Sequence, residues 1–418
     1  MMRTIAKLLL VSMVGLIGVG ATTAASPLAR TQKLGILNDS GTHWVLQNSA
    51  DYKMKWTVRD SNPYQHYELY AGPGGLVYVQ TTDELKAIQP ATGNAVWKHP
   101  SLWDSELDPV IGSDGAFYKV AYAKMDHAIY VTQVTRFNSD GTLSVYKLGD
   151  RLTSAEVDAQ GQFRLRAAGD TQGHFVLATN QGLVSLNPDG STNWTLGKVS
   201  TDSGEIDLTA VDDLFADGQD RLYVRLGGTM LALNLDGSLL WARDYGLQDL
   251  RNTYLVTKDG YLLQSTSSND YGAYPVRLYE MAETGLKAVY QPSIIASQMA
   301  NQDGRGGIYR VNETQEMVTD SWLSTGAFQW TYQLGKMERA SGQGLRADTM
   351  RTDAKGNVYV GSNVGNVYAL DNLGKPRFII AVNNAQQSYP DILPVSDSLT
   401  LIAVNNRLVA IEKVAKKS

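Results

Sequence analysis

The chain has 418 residues, 43% of them hydrophobic and 19% charged, a globular balance that excludes a disordered or fibrous protein. It contains no cysteine, which excludes disulfides, thiolate metal sites and cysteine nucleophiles. A formal net charge of -5 disfavours a nucleic-acid partner, and 39 Gly with 22 Tyr suit short strands joined by tight turns.

In chain order the first element is a leader. Arg3 and Lys7 precede an apolar run from Leu8 to Gly20, and small residues follow as far as Ala25. That order predicts a secretory signal peptide over residues 1–25, cut near Ala25 and Ser26. The apolar run is about 13 residues, against the roughly 20 that span a bilayer. Cleavage leaves residues 26–418 as a single domain with a formal charge of about -7. Without cysteine there is no residue for lipid attachment, so no stable membrane anchor is expected.

From residue 74 onward two signals alternate. The first is a tight turn followed at once by a β-rich run: Gly74-Gly75 before Tyr78, Asp114-Gly115 before Tyr118, and Gln172-Gly173 before Val176. It returns at Asp217-Gly218, Asp259-Gly260, Asp303-Gly304 and Lys355-Gly356, and Asp397-Ser398 is its weakest copy. Glycine supplies the positive φ of a hairpin turn, and the β-branched and aromatic residues after it suit a buried strand.

The second signal is a turn glycine followed four or five residues later by an aromatic residue. It gives Gly93/Trp97, Gly141/Tyr146, Gly190/Trp194, Gly237/Trp241, Gly285/Tyr290, Gly326/Trp330 and Gly374/Phe378. Successive aromatics lie 49, 48, 47, 49, 40 and 48 residues apart, the period of a β-propeller. Asp158 to Gly161 looks like a further turn, so residues 150–170 are expected to hold an extra hairpin.

The two ends complete one more unit. Leu399–Val404 and Arg407–Ile411 repeat the unit without its final aromatic strand, and Lys53–Val58, carrying Trp56, supplies that strand. The sequence therefore predicts an all-β fold, an eight-bladed β-propeller of four-stranded antiparallel blades, closed where an N-terminal strand pairs with C-terminal strands.

These repeats resemble the PQQ-like, or quinoprotein-like, β-propeller family. Its signature Ala-x-x-x-x-Thr-Gly-x-x-x-Trp is matched at every fixed position from Ala87 to Trp97. Ala232 to Trp241 fits one residue shorter with Asp236-Gly237 in place of Thr-Gly, and Val184 to Trp194 and Thr325 to Trp330 fit in part. The resemblance covers roughly residues 50–414. It implies that the aromatics dock neighbouring blades: Trp56, Trp97, Tyr146, Trp194, Trp241, Tyr290, Trp330 and Phe378. Each can bury roughly 150–250 Å², and one wedge per unit suits a seam better than a single axial cofactor.

The chemistry that remains is sparse. His43, His66, His99, His127 and His174 show no paired spacing, so no zinc site is expected. The turns Asn187–Gly190 and Asn234–Gly237 lack the alternating oxygens and distal Glu of a calcium loop, and read as hairpins. Gly-Lys pairs at 197–198, 335–336 and 374–375 are not followed by Ser or Thr, so no phosphate loop forms. No Gly-x-Ser-x-Gly elbow occurs. Asp39 to Trp44 resembles the Asp-box turn of sialidases, in one imperfect copy. Two Tyr-rich stretches offer candidate surface-binding residues: Tyr64, His66, Tyr67 and Tyr70, then Tyr271 and Tyr274. The alternative is that these tyrosines pack their own loops. Lys413–Ser418 reads as a solvated tail.

Two functional readings follow. The first is an exported, non-enzymatic propeller that binds a protein or a cell-envelope polymer as a scaffold, monomeric, in the periplasm, in the cell wall or secreted. Among the relatives that the resemblance implies is the lipoprotein scaffold of outer-membrane protein assembly, from which this chain departs in lacking the lipid-attachment cysteine. The second is a dehydrogenase with pyrroloquinoline quinone (PQQ) and calcium at the propeller axis, held by Glu, Asn and Asp. The adjacent cysteines of many such enzymes are missing here. No cofactor and no metal are expected under the first reading.

Overall fold

The computed structural model describes residues 31–33, 43–47, 51–62, 65–101, 109–125, 128–147, 165–217, 220–244, 252–256, 261–266, 276–282, 285–290, 299–302, 307–313, 317–323, 328–335, 347–353, 355–383 and 390–414. Strands dominate, with one short 3-10 turn at Pro73–Gly75. Among the described residues no helix is long and apolar enough to cross a membrane. The leader expected over residues 1–25 lies outside them.

Seven four-stranded antiparallel sheets, one six-stranded sheet and one two-stranded hairpin form among the described residues. The sheet of residues 67–100 shows the plan. It runs from Tyr67–Ala71 through Val77–Thr81 and Glu84–Ile88 to Ala95–Pro100, each strand pairing with the next. Val77–Thr81 is buried at every position, which explains its unbroken β-rich run: it is covered on both faces by neighbouring sheets. The outer strand Ala95–Pro100 is exposed at alternate positions, and its polar residues face solvent there.

The core lies between sheets. Tyr67, Leu69, Val77, Val79 and Ile88 pack against Leu401, Ala403, Leu408 and Ala410 of the sheet built from both chain ends. In that sheet Tyr52–Arg59 pairs antiparallel with Arg407–Lys413, from Tyr52 opposite Lys413 to Arg59 opposite Arg407, with a register shift between Met54 and Trp56. Strands Leu399–Val404 and Asp391–Ser396 continue it inward.

A bulge recurs where the third and fourth strands meet. Register shifts follow Ala87, Ser185, Ala232, Leu278, Ser321 and Ala369. In five of these pairs the residue before the shift is small and faces the repeated aromatic: Ala87 with Trp97, Ser185 with Trp194, Ala232 with Trp241, Ser321 with Trp330 and Ala369 with Phe378. The bulge twists the outer strand, and the small partner leaves room for the ring.

Two features depart from four strands per blade. Thr31–Lys33 and His43–Gln47 form a hairpin whose second strand adds to the outer strand Pro376–Asn383, making the six-stranded sheet. An outer strand has an edge of backbone groups that accepts such an addition. The second is a hairpin of Lys198–Thr201 and Gly204–Asp207, inserted between the sheets of residues 167–196 and 213–244. Its Val199 enters the apolar seam between those sheets, with Ile206 packed against it. The hairpin expected at 150–170 falls largely on residues 148–164, outside the described residues, while Ala167–Gly169 is the inner strand of its own sheet.

Candidate functional site

The repeated aromatics were the strongest sequence signal, and the structure seats them in a common way. Five of the eight lie against the turn glycine of the next unit: Trp56 at Gly93, Trp97 at Gly141, Tyr146 at Gly190, Trp194 at Gly237 and Trp330 at Gly374. The indole N–H groups donate to carbonyls of the same turns, Trp56 to Pro90 at 2.9 Å, Trp97 to Ser139 at 3.1 Å, Trp194 to Leu235 at 2.6 Å and Trp330 to Asn372 at 3.0 Å. A Cβ on Gly141 would stand 2.7 Å from Trp97, at a φ of +85° that already favours glycine. Tyr146 is fully buried, donates to Gly173 at 3.5 Å, and burial pushes its phenol up to about 12. Phe378 packs on Tyr52 with ring centroids 5.1 Å apart. Trp241 is half-buried 6.1 Å from Tyr223, and the Tyr290 side chain lies outside the described residues.

The Asp-Gly turns use their own carboxylates. Asp189 accepts from the Ser191 N–H at 2.9 Å and its hydroxyl at 2.6 Å, and Asn187 donates to that hydroxyl at 2.9 Å. Asp236 with Ser238 and Asp140 with Thr142 repeat the pattern. The Ser or Thr hydroxyl holds each of these three carboxylates below the usual range. An Asn-x-Asp-Gly-Ser/Thr turn thus satisfies itself, which is the hairpin reading of the apparent calcium loops.

A polar cluster gathers where the last inner strands meet the first. Strand Asp391–Ser396 lies beside both Ala347–Thr352 and Tyr67–Ala71. Asp391 accepts from the backbone N–H of Leu69 at 2.7 Å and of Ile392 at 2.8 Å, with Arg351 3.5 Å away. Burial pushes its carboxyl up, because a charge there is poorly solvated. Glu68 accepts from the Tyr70 hydroxyl at 2.6 Å and lies 3.9 Å from His66.

This cluster corrects one candidate and places two. Tyr67 is only 3% exposed and belongs to the apolar core, because the alternation of its strand turns it inward; it is not a surface-binding residue. His66 is exposed and Tyr70 half-buried, its ring edge-on to Phe117 at 5.5 Å. Tyr64, Tyr271 and Tyr274 lie outside the described residues, as do His43 and His127 as side chains. His99 meets the Gly141 carbonyl at 3.0 Å, and His174 pairs with Asp170 at 2.7 Å.

A calcium-bound quinone would need several oxygen ligands converging with an amide and a cation. Asp391 and Glu68 instead spend their oxygens on the backbone, Tyr70 and Arg351. Among the described residues no three His, Asp or Glu gather to hold a metal ion. The described cluster does not fit that group. Asp391 and Arg351 carried no sequence signal, since their meeting with Leu69 spans most of the chain.

Comparison with curated proteins finds no match. Among solved structures the chain is similar to BamB from Moraxella catarrhalis, at 15% identity and a TM-score of 0.47, over 86% of this chain and 99% of that one. It is similar to the C-terminal WD40 domain of Sif2, at 10% identity and a TM-score of 0.45, over 88% of this chain and 99% of that one. It is also similar to the quinohemoprotein alcohol dehydrogenase from Comamonas testosteroni, at 11% identity and a TM-score of 0.47, over 88% of this chain and 78% of that one. The family described as outer membrane protein assembly factor BamB matches residues 82–332, more than half of the sequence. With its four-stranded sheets and its aromatic residues seated on turn glycines, the chain belongs to this PQQ-like β-propeller repeat family.

Proposed function

We propose that this protein is an exported, non-enzymatic scaffold, an eight-bladed closed propeller that binds a protein or cell-envelope partner. The observation that carries the reading is the family match over residues 82–332, because the family is described as an outer-membrane protein assembly factor. Residues 1–25 act as the export signal in this reading, and residues 26–418 form one domain. The six-stranded sheet counts as a blade with two added strands, and the pairing of Tyr52–Arg59 with Arg407–Lys413 closes the ring. Such a ring suits docking, since rigid blades present loops at fixed spacing. The aromatic seats support a structural use for the most conspicuous residues.

The test separates the scaffold from a quinone enzyme. The mature protein is titrated with PQQ, with and without Ca²⁺, while thermal unfolding and tryptophan fluorescence are followed. A ligand at 100 times its Kd adds about 2.7 kcal/mol of stability. The scaffold reading expects no shift, together with capture of a defined protein or polymer from cell envelopes by the immobilised chain. A saturable, calcium-dependent rise in the unfolding temperature overturns it.

A further inference from the structure

The hairpin of Lys198–Thr201 and Gly204–Asp207 does more than fill a seam. It walls one side of a cleft of about 580 Å³ whose other side is the outer strand Leu239–Asp244. Ser200, Asp202 and Glu205 line it from the hairpin, and Leu239, Trp241 and Asp244 from the strand. Asp202, Glu205 and Asp244 line it with one cation, Arg243, and Glu205 also accepts from Lys198 at 3.3 Å, so the lining keeps a small acidic excess.

Parity of the hydrogen bonding says which backbone groups face the cleft. The two-residue turn at 227–228 joins Leu226 to Thr229, and such a closing pair exchanges its own N–H and C=O groups. Thr229 stands opposite Asp244, and Leu231 opposite Ala242. Alternation then aims the N–H and C=O of Ala242 away from the blade. The side chains agree: Arg243 Nη1 reaches back to donate to the Ala242 carbonyl at 2.9 Å, a bond available only to an outward-facing oxygen. Beside it Leu240 is 41% exposed.

The molecule already contains a strand added at this position of another blade. His43–Gln47 pairs with Pro376–Asn383, setting Gln47 opposite Ile379, the residue after the repeated aromatic Phe378. Ala242 holds the same place after Trp241. On the 213–244 blade no added strand occurs among the described residues.

We propose that this slot receives an extended, lysine-bearing segment of a protein partner as an added antiparallel strand on Leu239–Asp244. Backbone pairing supplies affinity, with the Ala242 carbonyl exchanging the Arg243 guanidinium for a peptide N–H. The acidic lining selects lysine at alternate positions of the incoming strand. Six residues of strand offer about 20 Å of edge, enough for a short segment. The inference rests on the protein-binding reading and names its site and partner chemistry.

The probe is a fluorescein-labelled octapeptide alternating lysine with valine and threonine, with a glutamate-for-lysine version as control, titrated onto the full chain by fluorescence anisotropy. Saturable binding of the lysine peptide is expected, with the glutamate peptide at least about tenfold weaker. Ala242→Pro deletes one outward N–H and should weaken binding by a similar factor with an unchanged unfolding midpoint. The double variant Asp202→Lys, Glu205→Lys keeps the backbone edge and should reverse the preference toward the glutamate peptide. No saturation up to about 1 mM, equal affinity of all variants, or dimerisation of the free chain through this edge overturns the proposal. Envelope capture by wild type and both variants alike also sinks the slot while leaving the broader reading standing. Capture by none of them sinks the broader reading itself.

Discussion

The seam at Trp97 and the seam at Phe378 solve one problem in two ways. At Trp97 the chain is continuous, so the next sheet presents a complete turn whose Gly141 accepts the ring and whose Ser139 carbonyl takes the indole N–H. At Phe378 the next sheet is made from both chain ends, and the ring meets the first residue of the N-terminal strand, Tyr52. A charge compensates there. Arg377, with a side chain only 9% exposed, donates to the Tyr52 hydroxyl at 2.9 Å, the Tyr359 hydroxyl at 2.5 Å and the Asp397 carbonyl at 2.8 Å. It also lies 3.8 Å from Asp353 and over both tyrosine rings. A turn can be matched by shape and one indole hydrogen bond, whereas two separate chain ends are held by a directional hub that several elements must satisfy together.

Four substitutions break or sharpen that contrast. Gly141→Val should be the most damaging, since a side chain meets Trp97 at 2.7 Å and a branched residue is placed at φ +85°. A loss of about 3 kcal/mol or more is expected in urea unfolding. Arg377→Met should cost about 3 kcal/mol, because it removes the shared donor of two tyrosine hydroxyls and the cation 3.8 Å from the Asp353 carboxylate. This loss should appear first as protection lost in hydrogen exchange along Tyr52–Arg59; uniform loss across all sheets would refute the local role of the hub.

Trp97→Phe removes one indole N–H bond and part of a half-buried ring, for about 1–2 kcal/mol. The variant should keep its cooperativity, since Phe already serves at position 378. The smallest effect concerns Asp391. Its folded carboxyl is raised by burial, so its stabilising contribution is present below the unfolded value near 3.8 and lost as pH rises through the folded value. Asp391→Asn should therefore gain on wild type as pH is raised from about 4 to 7. A difference independent of pH, measured by unfolding midpoints, would contradict the assignment.

Local elements were legible because their causes are local. The Asn-x-Asp-Gly-Ser/Thr turns fold on bonds spanning a few residues, and the run at Val77–Thr81 announces a strand covered on both sides. The candidate binding residues were less legible. Tyr67 and Tyr70 share one strand and a Tyr-rich stretch, yet the first is core and the second reaches Glu68. Period-2 alternation separates them only once the register against Val77–Thr81 is known. The hairpin at 198–207 hid inside an undisturbed period, since Trp194 and Trp241 stay 47 residues apart with it included.

By itself the sequence determined the repeating unit, the turn glycines and the aromatic that ends each copy, because a 40- to 49-residue spacing and a positive φ are written in nearby residues. It also carried enough of the repeat signature to resemble the right family. The tertiary structure alone decided that Asp391 would cap the Leu69 N–H, that Arg377 would become the hub of the seam at Phe378, and that an N-terminal hairpin would cover one outer edge. Those arrangements join residues more than 320 positions apart, with 325 positions separating Tyr52 and Arg377. Their partners are chosen by which strand ends meet in space, and no local pattern records that choice.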